Sequence, residues 1–411
     1  MATTALSGVA FGAGLAAAGV YHPAVITSQL KLENWHMIQA FLAAAASSGI
    51  AVLLLDRLGY YHPKPRSASR MGLFGPYDGN ILGGALQGLG MALAGACPGT
   101  VIPQAAVGVP SGLYALFGTL IGGIAWSGFI SSLAARAASR APAENPKLTV
   151  QERLGISSTA IFTIFEAICA GLGMALAGAC PGTVIPQAAV GVPSGLYALF
   201  GTLIGGIAWS GFISSRAARA ESRAPAENPK LTVQERLGIS STAIFTIFEA
   251  ICAVALYTAG TASAPSRYAA INPALGGLCI GLAQLFSMLV RKTMVGVSTA
   301  YEEAGKHFFW LAEGASGPRP GAKNLLFAAG VGAGARLLTS WDPAFKAGVS
   351  DITVDPLLAV AGGVCLAVGS RLAGGCTSGH GISGMSMFST SSFVTIVSMF
   401  GAGALFMPLF I

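Results

Sequence analysis

Long apolar runs separated by short polar stretches make up almost the whole chain. The runs fall at about 4–21, 37–56, 79–97, 110–131, 154–180, 193–213, 237–260, 270–290, 324–339, 356–372 and 391–411. Several extend over roughly 18 or more residues without a charge, the length a helix needs to cross a bilayer. The pattern predicts an all-α, multi-pass membrane protein. The polar stretches at 57–70, 132–153, 214–236 and 291–323 carry most of the basic residues, among them Arg57, Arg66, Arg136, Arg219 and Lys306. Cytoplasmic loops of membrane proteins are enriched in Lys and Arg, so all four are expected on the cytoplasmic side. Two apolar runs lie between successive basic loops, and two precede the first, so the N-terminus is expected in the cytoplasm as well. Loop 22–36, nearly neutral, lies opposite.

Three of the apolar runs end on one motif. Gly90-Met91-Ala92-Leu93-Ala94-Gly95-Ala96-Cys97-Pro98-Gly99-Thr100 returns unchanged at 173–183, with Cys180 in the place of Cys97. Near the end, Gly369-Ser370-Arg371-Leu372-Ala373-Gly374-Gly375-Cys376-Thr377-Ser378-Gly379 keeps the frame G-x-x-L-A-G-x-C. Each is a small-residue helix pattern that reaches a cysteine and then meets proline or glycine, which stop a helix. A break inside apolar sequence leaves backbone groups without partners. In a membrane this is tolerated only where the break is buried in protein or lines a cavity. The three motifs therefore read as parts of a site built from broken or re-entrant helices.

Two symmetries lie under the pattern. Residues 88–170 and 171–253 agree at every position except Leu133/Arg216 and Ala138/Glu221. Structural repeats in transporters survive as weak similarity, so near-identity records a recent tandem duplication or an error in the gene sequence. The first copy follows Asp78-Gly79-Asn80-Ile81-Leu82-Gly83-Gly84, and the second follows the helix body Phe165-Glu166-Ala167-Ile168-Cys169. Only the second copy runs on into Val254-Ala255-Leu256-Tyr257. Cys97 is thus the expected working cysteine and Cys180 its substitute. The older symmetry relates Gly8 to Leu15 to the stretch Gly277 to Leu282, each followed later by a cysteine motif. It gives two pseudo-symmetric halves, 1–135 and 267–411, with a connecting helix and the duplicate in 136–266.

Composition agrees. Of 411 residues 53% are hydrophobic and 9% charged, with 56 glycines, and the mean hydropathy is +0.67. A soluble domain carries about 25% charged residues. The glycines suit close helix packing. The net charge of +7 sits in short loops and forms no basic stripe interleaved with aromatics, so nucleic acid is not the expected partner. Met1 to Gly8 lacks the basic start of a cleaved signal. Seven cysteines, mostly in apolar runs, fit neither a disulfide framework nor a metal-binding pattern. No cofactor is expected, and the oligomeric state is left open.

Cys169, Cys252, Cys279 and Cys365 have no adjacent helix breaker and read as small buried hydrophobes. Cys97 and Cys376 hold the same position in otherwise divergent halves. They would face each other near the bilayer midplane, where repeat transporters place their substrate. Gly379 to Gly384 match G-x-G-x-x-G but follow an apolar helix, so a dinucleotide fold is not expected. Exposed backbone N–H groups and hydroxyls at Gly99, Thr100, Ser378 and Gly379 suit an anion. Arg371, one turn before Cys376, would add positive potential or anchor at the interface. Glu166 and Glu249 are one intramembrane acid seen twice, either functional or bonded to a neighbouring hydroxyl. His22, His36, His62 and His307 lie near the ends of apolar runs and read as interfacial.

These residues make the chain similar to the YeeE/YedE family of sulphur-transport membrane proteins. The similarity rests on Gly90 to Thr100, Gly369 to Gly379, Asn272-Pro273-Ala274-Leu275-Gly276-Gly277 and Tyr21-His22-Pro23-Ala24-Val25-Ile26. It covers nearly all of the chain except the extra block. It implies an α-helical transporter, not an enzyme, that moves thiosulfate or a related small sulphur anion inward across the cell membrane. Cysteines at the narrow middle would contact the substrate sulphur by S–H hydrogen bonding. Family members often carry a further cysteine in the first span, where this chain has Ala18-Gly19-Val20-Tyr21. Rival expectations are a membrane thiol enzyme handling sulphane sulphur and a non-functional duplicated product. The topology is the first testable expectation: single cysteines placed in the four basic loops should react with a membrane-impermeant thiol reagent only after the cells are opened. Labelling of any one in intact cells would overturn the arrangement.

Overall fold

A computed structural model describes residues 1–69, 77–130, 231–315, 317–346 and 354–410. They belong to one compact unit. The expected runs 154–180 and 193–213, loop 132–153, most of loop 214–236, and Cys169, Cys180 and Glu166 lie outside the described residues.

The described residues are helical, without a strand. In the first half, α1 spans Ala2–Ala17, α2 Pro23–Leu30, α3 His36–Arg57, α4 Asp78–Ala94, α5 Val101–Val107 and α6 Pro110–Ala125, which continues as a wider π-helical turn at Trp126–Ile130. After it come α7 (Val233–Leu237) and the long α8 (Ser241–Ala262). The second half holds α9 (Pro273–Arg291), α10 (Thr299–Ala312), α11 (Lys323–Trp341), α12 (Pro356–Leu372), a π-helix at Thr377–Gly384 and α13 (Thr390–Phe406). Every apolar run within the described residues forms a helix. Four short helices were not expected: α2 lies in the neutral loop, α5 follows Cys97, α7 lies at the end of the basic loop 214–236, and α10 lies in the basic loop 291–323.

Local chemistry sets where the helices begin. His22, Asn272 and Asp355 each accept a backbone N–H of the first turn, and each is followed by a proline at the first helical position. A side-chain acceptor satisfies one orphan donor, and proline needs no partner there. Four helices, α3, α8, α9 and Thr390–Leu409, are long and apolar enough to span a bilayer. α12 and the helix after Cys376 pass the same test together and are bent by 44° at the break, the geometry of a broken span or a re-entrant loop. The protein is an all-α integral membrane protein with a broken helix.

The packing repeats between the halves. α1 packs on α11 as α9 packs on α3, and α4 packs on α13 as α12 packs on α6. α4 and α12, the two helices that lead into the cysteine turns, pack on each other. They run antiparallel and almost touch: a Cβ on Gly83 would lie 2.3 Å from the Ala373 N, and one on Gly369 would lie 2.7 Å from the Gly83 carbonyl. Such distances cannot be relieved by a rotamer change, because the neighbours are backbone. Gly83→Ala or Gly369→Ala is expected to push the two helices apart at a cost of about 1–3 kcal/mol. The measurement is the thermal midpoint of the detergent-solubilised protein. An unchanged midpoint in both variants would mean that the helices are not held at this distance.

Candidate functional site

The conserved frame L-A-G-x-C has one structural meaning in both halves. Gly95 closes α4 in the left-handed conformation at φ 59°, and Gly374 takes φ 79° just after α12. A left-handed residue ends a helix at little steric cost only when it is glycine. Two residues later each chain presents its cysteine and then starts a new helix, α5 after Cys97 and the π-helix after Cys376.

Each turn strands carbonyl groups in the apolar interior, and each of these groups has found a donor. In the first turn, the Gln104 side-chain amide donates to the Gly95 carbonyl at 2.8 Å and the Tyr301 hydroxyl donates to the Pro98 carbonyl at 2.6 Å. Thr100 closes the turn on itself: its Oγ1 accepts the Cys97 N–H at 2.8 Å and donates to the Cys97 carbonyl at 3.2 Å. In the second turn, Ser69 donates to the Leu372 carbonyl and the Asn80 amide donates to the Ala373 carbonyl at 2.9 Å. Arg66 Nη1 donates to the Gly374 carbonyl at 3.1 Å, and the Gln87 amide donates to the Gly375 carbonyl at 3.2 Å. Asn80 also donates to Thr395 Oγ1 and accepts the Ser69 N–H, which uses three of its hydrogen-bonding positions on three different segments.

The two turns meet. Cys97 and Cys376 are both buried, at 5% and 1% exposure. The Cys97 thiol touches the hydroxyls of Thr100 and Thr377 and the Gly99 backbone, so one residue of the second turn already reaches the first cysteine. The Cys376 Sγ lies 3.3 Å from Ser378 Oγ and touches Ser298 and the Gly379 backbone. The position a Cβ would take on Gly99 is 3.7 Å from the Cys97 Sγ and 3.8 Å from Ser378 Oγ, which puts both within reach of one small ligand. A cavity of about 40 Å³ opens at this junction. Its surface is almost wholly apolar; the two turns contribute Cys97, Gly99, Thr100, Thr377 and Ser378 to the lining. The facing wall is apolar and includes Phe11, Met37 and Phe41. The space suits a particle little larger than water, with soft and hydroxylic groups on one side and no carboxylate among the lining residues.

Of the other residues singled out from the sequence, Arg371 forms an ion pair with Glu302 at 2.9 Å and donates to Ser298 Oγ at 2.9 Å. Glu302 also holds Lys306 at 2.6 Å. Glu249 lies on α8, and its Oε1, buried close to Gly49 of α3, has no hydrogen-bond partner among the described residues. Cys97 lines the cavity, whereas Cys376 precedes Thr377 and Ser378 and is not itself among the lining residues; Cys252, Cys279 and Cys365 are free thiols that do not line it. His22 and His36 are fully buried inside the protein. His22 stacks on Tyr268 at 4.2 Å, and His36 Nε2 bonds the Ala18 carbonyl at 2.8 Å. His62 is exposed and pairs with Asp56. No group of His, Cys, Asp and Glu able to hold a metal occurs among the described residues.

The residues that the sequence did not reveal are the donors. Gln87 is an amide inside the run 79–97 and Gln104 one just after it, both next to a helix break, and that placement is a usable signal. Tyr301, on α10, and Arg66, in the segment after α3, are far from the turns they support in sequence and carried no such signal. Tyr301→Phe should leave the Pro98 carbonyl buried and unpaired, a cost of about 1–3 kcal/mol. The expected result is a lower thermal midpoint together with reduced transport. A variant as stable and active as the parent would remove Tyr301 from the support of the turn.

Comparison with known proteins agrees with the arrangement in two halves. A family model described as Sulphur transport matches residues 17–170 and again residues 163–405. No curated protein matches the chain. With both matches together covering almost its full length, the chain belongs to the sulphur transport family.

Proposed function

We propose that the protein carries small sulphur-containing anions, thiosulfate foremost, into the cell across the plasma membrane. Residues 1–135 and 267–411 form the two halves of the carrier, and 136–266 supply the connecting helix and the duplicate. The N-terminus and the four basic loops lie in the cytoplasm. The observation that carries the reading is the meeting of one cysteine turn from each half at a single small cavity. A thiol is a polarizable, weak hydrogen-bond donor. It suits the terminal sulphur of thiosulfate, while the Ser378 hydroxyl suits its oxygens; Thr100 and Thr377, which already donate to the Cys97 carbonyl and Met399 Sδ, hold the turns in shape. An anion stripped of water needs every donor it can find, and the phenyl-lined wall offers none. The path is thus selective for a solute with one soft end and one oxygen-rich end.

The test is uptake of labelled thiosulfate by cells or proteoliposomes. Cys97→Ala and Cys376→Ala are each expected to lose most of the uptake with expression preserved, since removing one sulphur beside a cavity costs folding little. Cys365→Ala, outside the cavity, should transport nearly as the parent does. Serine at Cys97 or Cys376 keeps a donor and loses the soft contact, so partial uptake is expected. Complete loss with serine, together with a persulfide detected by mass spectrometry, would mark a covalent thiol mechanism instead. Activity retained in Cys97→Ala but lost when Cys180→Ala is added would make the second copy a working substitute. Parental rates in both that double variant and Cys376→Ala would end the cysteine-path reading.

A further inference from the structure

We propose that Arg66 is the anion-receiving group on the far side of the Cys376 turn, binding the oxygen-rich end of the transported anion as it leaves the thiols. The assignment rests on the transport reading above and adds a residue and an orientation to it. Arg66 lies in the segment that follows α3, and that segment is strapped over the second turn. The Arg66 N–H donates to Ser389 Oγ at 2.9 Å, and Ser391 Oγ donates to the Arg66 carbonyl at 3.1 Å. Its side chain runs inward over the glycines of the motif. The place a Cβ would take on Gly375 lies 2.9 Å from Arg66 Nη1, on Gly379 3.1 Å from Nη2, and on Gly384 3.2 Å from Cδ. The G-x-x-x-G-x-x-x-x-G spacing from 375 to 384 is therefore a groove for an arginine.

Thr377 and Ser378 line the cavity, while Gly375 and Gly379 on either side of them touch the guanidinium. A single thickness of backbone separates the thiol-lined cavity from the positive charge.

The charge is left uncommitted. None of the ion pairs among the described residues involves Arg66, whereas neighbouring Arg371 is held by Glu302. Nη1 of Arg66 is spent on the Gly374 carbonyl. Nε, buried, has no partner. Nε and Nη2 form the side edge of the guanidinium, the edge that accepts two oxygens of one oxyanion at once. Arg66 is half-buried and has no counter-charge, so an arriving sulphur oxyanion would meet an unpaired cation. With its terminal sulphur on the thiols, the anion presents its oxygens to this fork.

Equilibrium binding of thiosulfate and of sulfite to purified protein, alongside uptake in proteoliposomes, tests the assignment. Arg66→Gln is expected to weaken thiosulfate binding at least tenfold, and Arg66→Lys, which keeps the charge but loses the fork, several-fold. Lys64→Gln, exposed on the same segment, should bind as the parent does. Sulfite, which has oxygens but no terminal sulphur, should lose as much affinity as thiosulfate in Arg66→Gln and little in Cys97→Ala. If Arg66→Gln does not fold, Arg66→Lys decides, because it can still donate to the Gly374 carbonyl. Parental affinity for both anions in a folded Arg66 variant would overturn the assignment and leave the cysteine path standing. A parent protein that binds neither anion would overturn the transport reading and this assignment together.

Discussion

Every helix break in the interior of a membrane protein leaves main-chain carbonyls that cannot turn to water, and this structure depends on how those carbonyls are answered. Two breaks lie at the centre, each released by a left-handed glycine. Around them Gln104, Tyr301, Asn80, Gln87, Ser69 and Arg66 each aim a donor at a stranded oxygen. An unsatisfied group in hydrocarbon costs several kcal/mol, so these polar side chains are obligatory for the fold. The donors come from both halves and from the loops between helices. Tyr301 of the second half supports the Cys97 turn, and Arg66, Ser69, Asn80 and Gln87 of the first half support the Cys376 turn. Each half therefore completes the site of the other.

The close approach of α4 and α12 gives this arrangement its rigidity. With backbone against backbone at Gly83 and Gly369, the helices cannot slide or rotate without collision. The cysteines at the ends of those helices are held at fixed positions, and small rigid donors around the cavity need no rearrangement when a solute arrives. Motion is left to segments that overlie the turns, such as the one carrying Arg66, which is held by serine hydroxyls rather than by packed apolar surface.

Much of this was legible in the residues. Apolar runs gave the long helices almost to the residue, because length and composition alone decide them in lipid; the run expected at 356–372 is α12. Proline and glycine after Cys97 and Cys376 gave the breaks, because those residues act locally. The two cysteine turns were legible as equivalent frames, each opened by a left-handed glycine. The donors were not, since Tyr301 and Arg66 reach the turns through tertiary packing that no local pattern encodes. Arg371 shows the same limit from the other side. A cation one turn from Cys376 looks available in the sequence, yet Glu302 from a distant loop already holds it. Short helices α2, α5, α7 and α10 escaped because each lies within a stretch whose polarity or brevity reads as loop.

The bracket at Asn80 also separates the two copies of the motif. The block begins at Gly88, so Asn80, Gly83 and Gln87 belong only to the lead-in of the first copy. In the same frame the second copy offers Thr163, Glu166 and Ala170. Glutamate in the place of Gly83 would drive a side chain into the Ala373 backbone. Alanine in the place of Gln87 would abandon the Gly375 carbonyl, and threonine could not hold three segments as Asn80 does. The contacts that seat the first copy against α12 thus depend on residues that lie outside the repeated sequence.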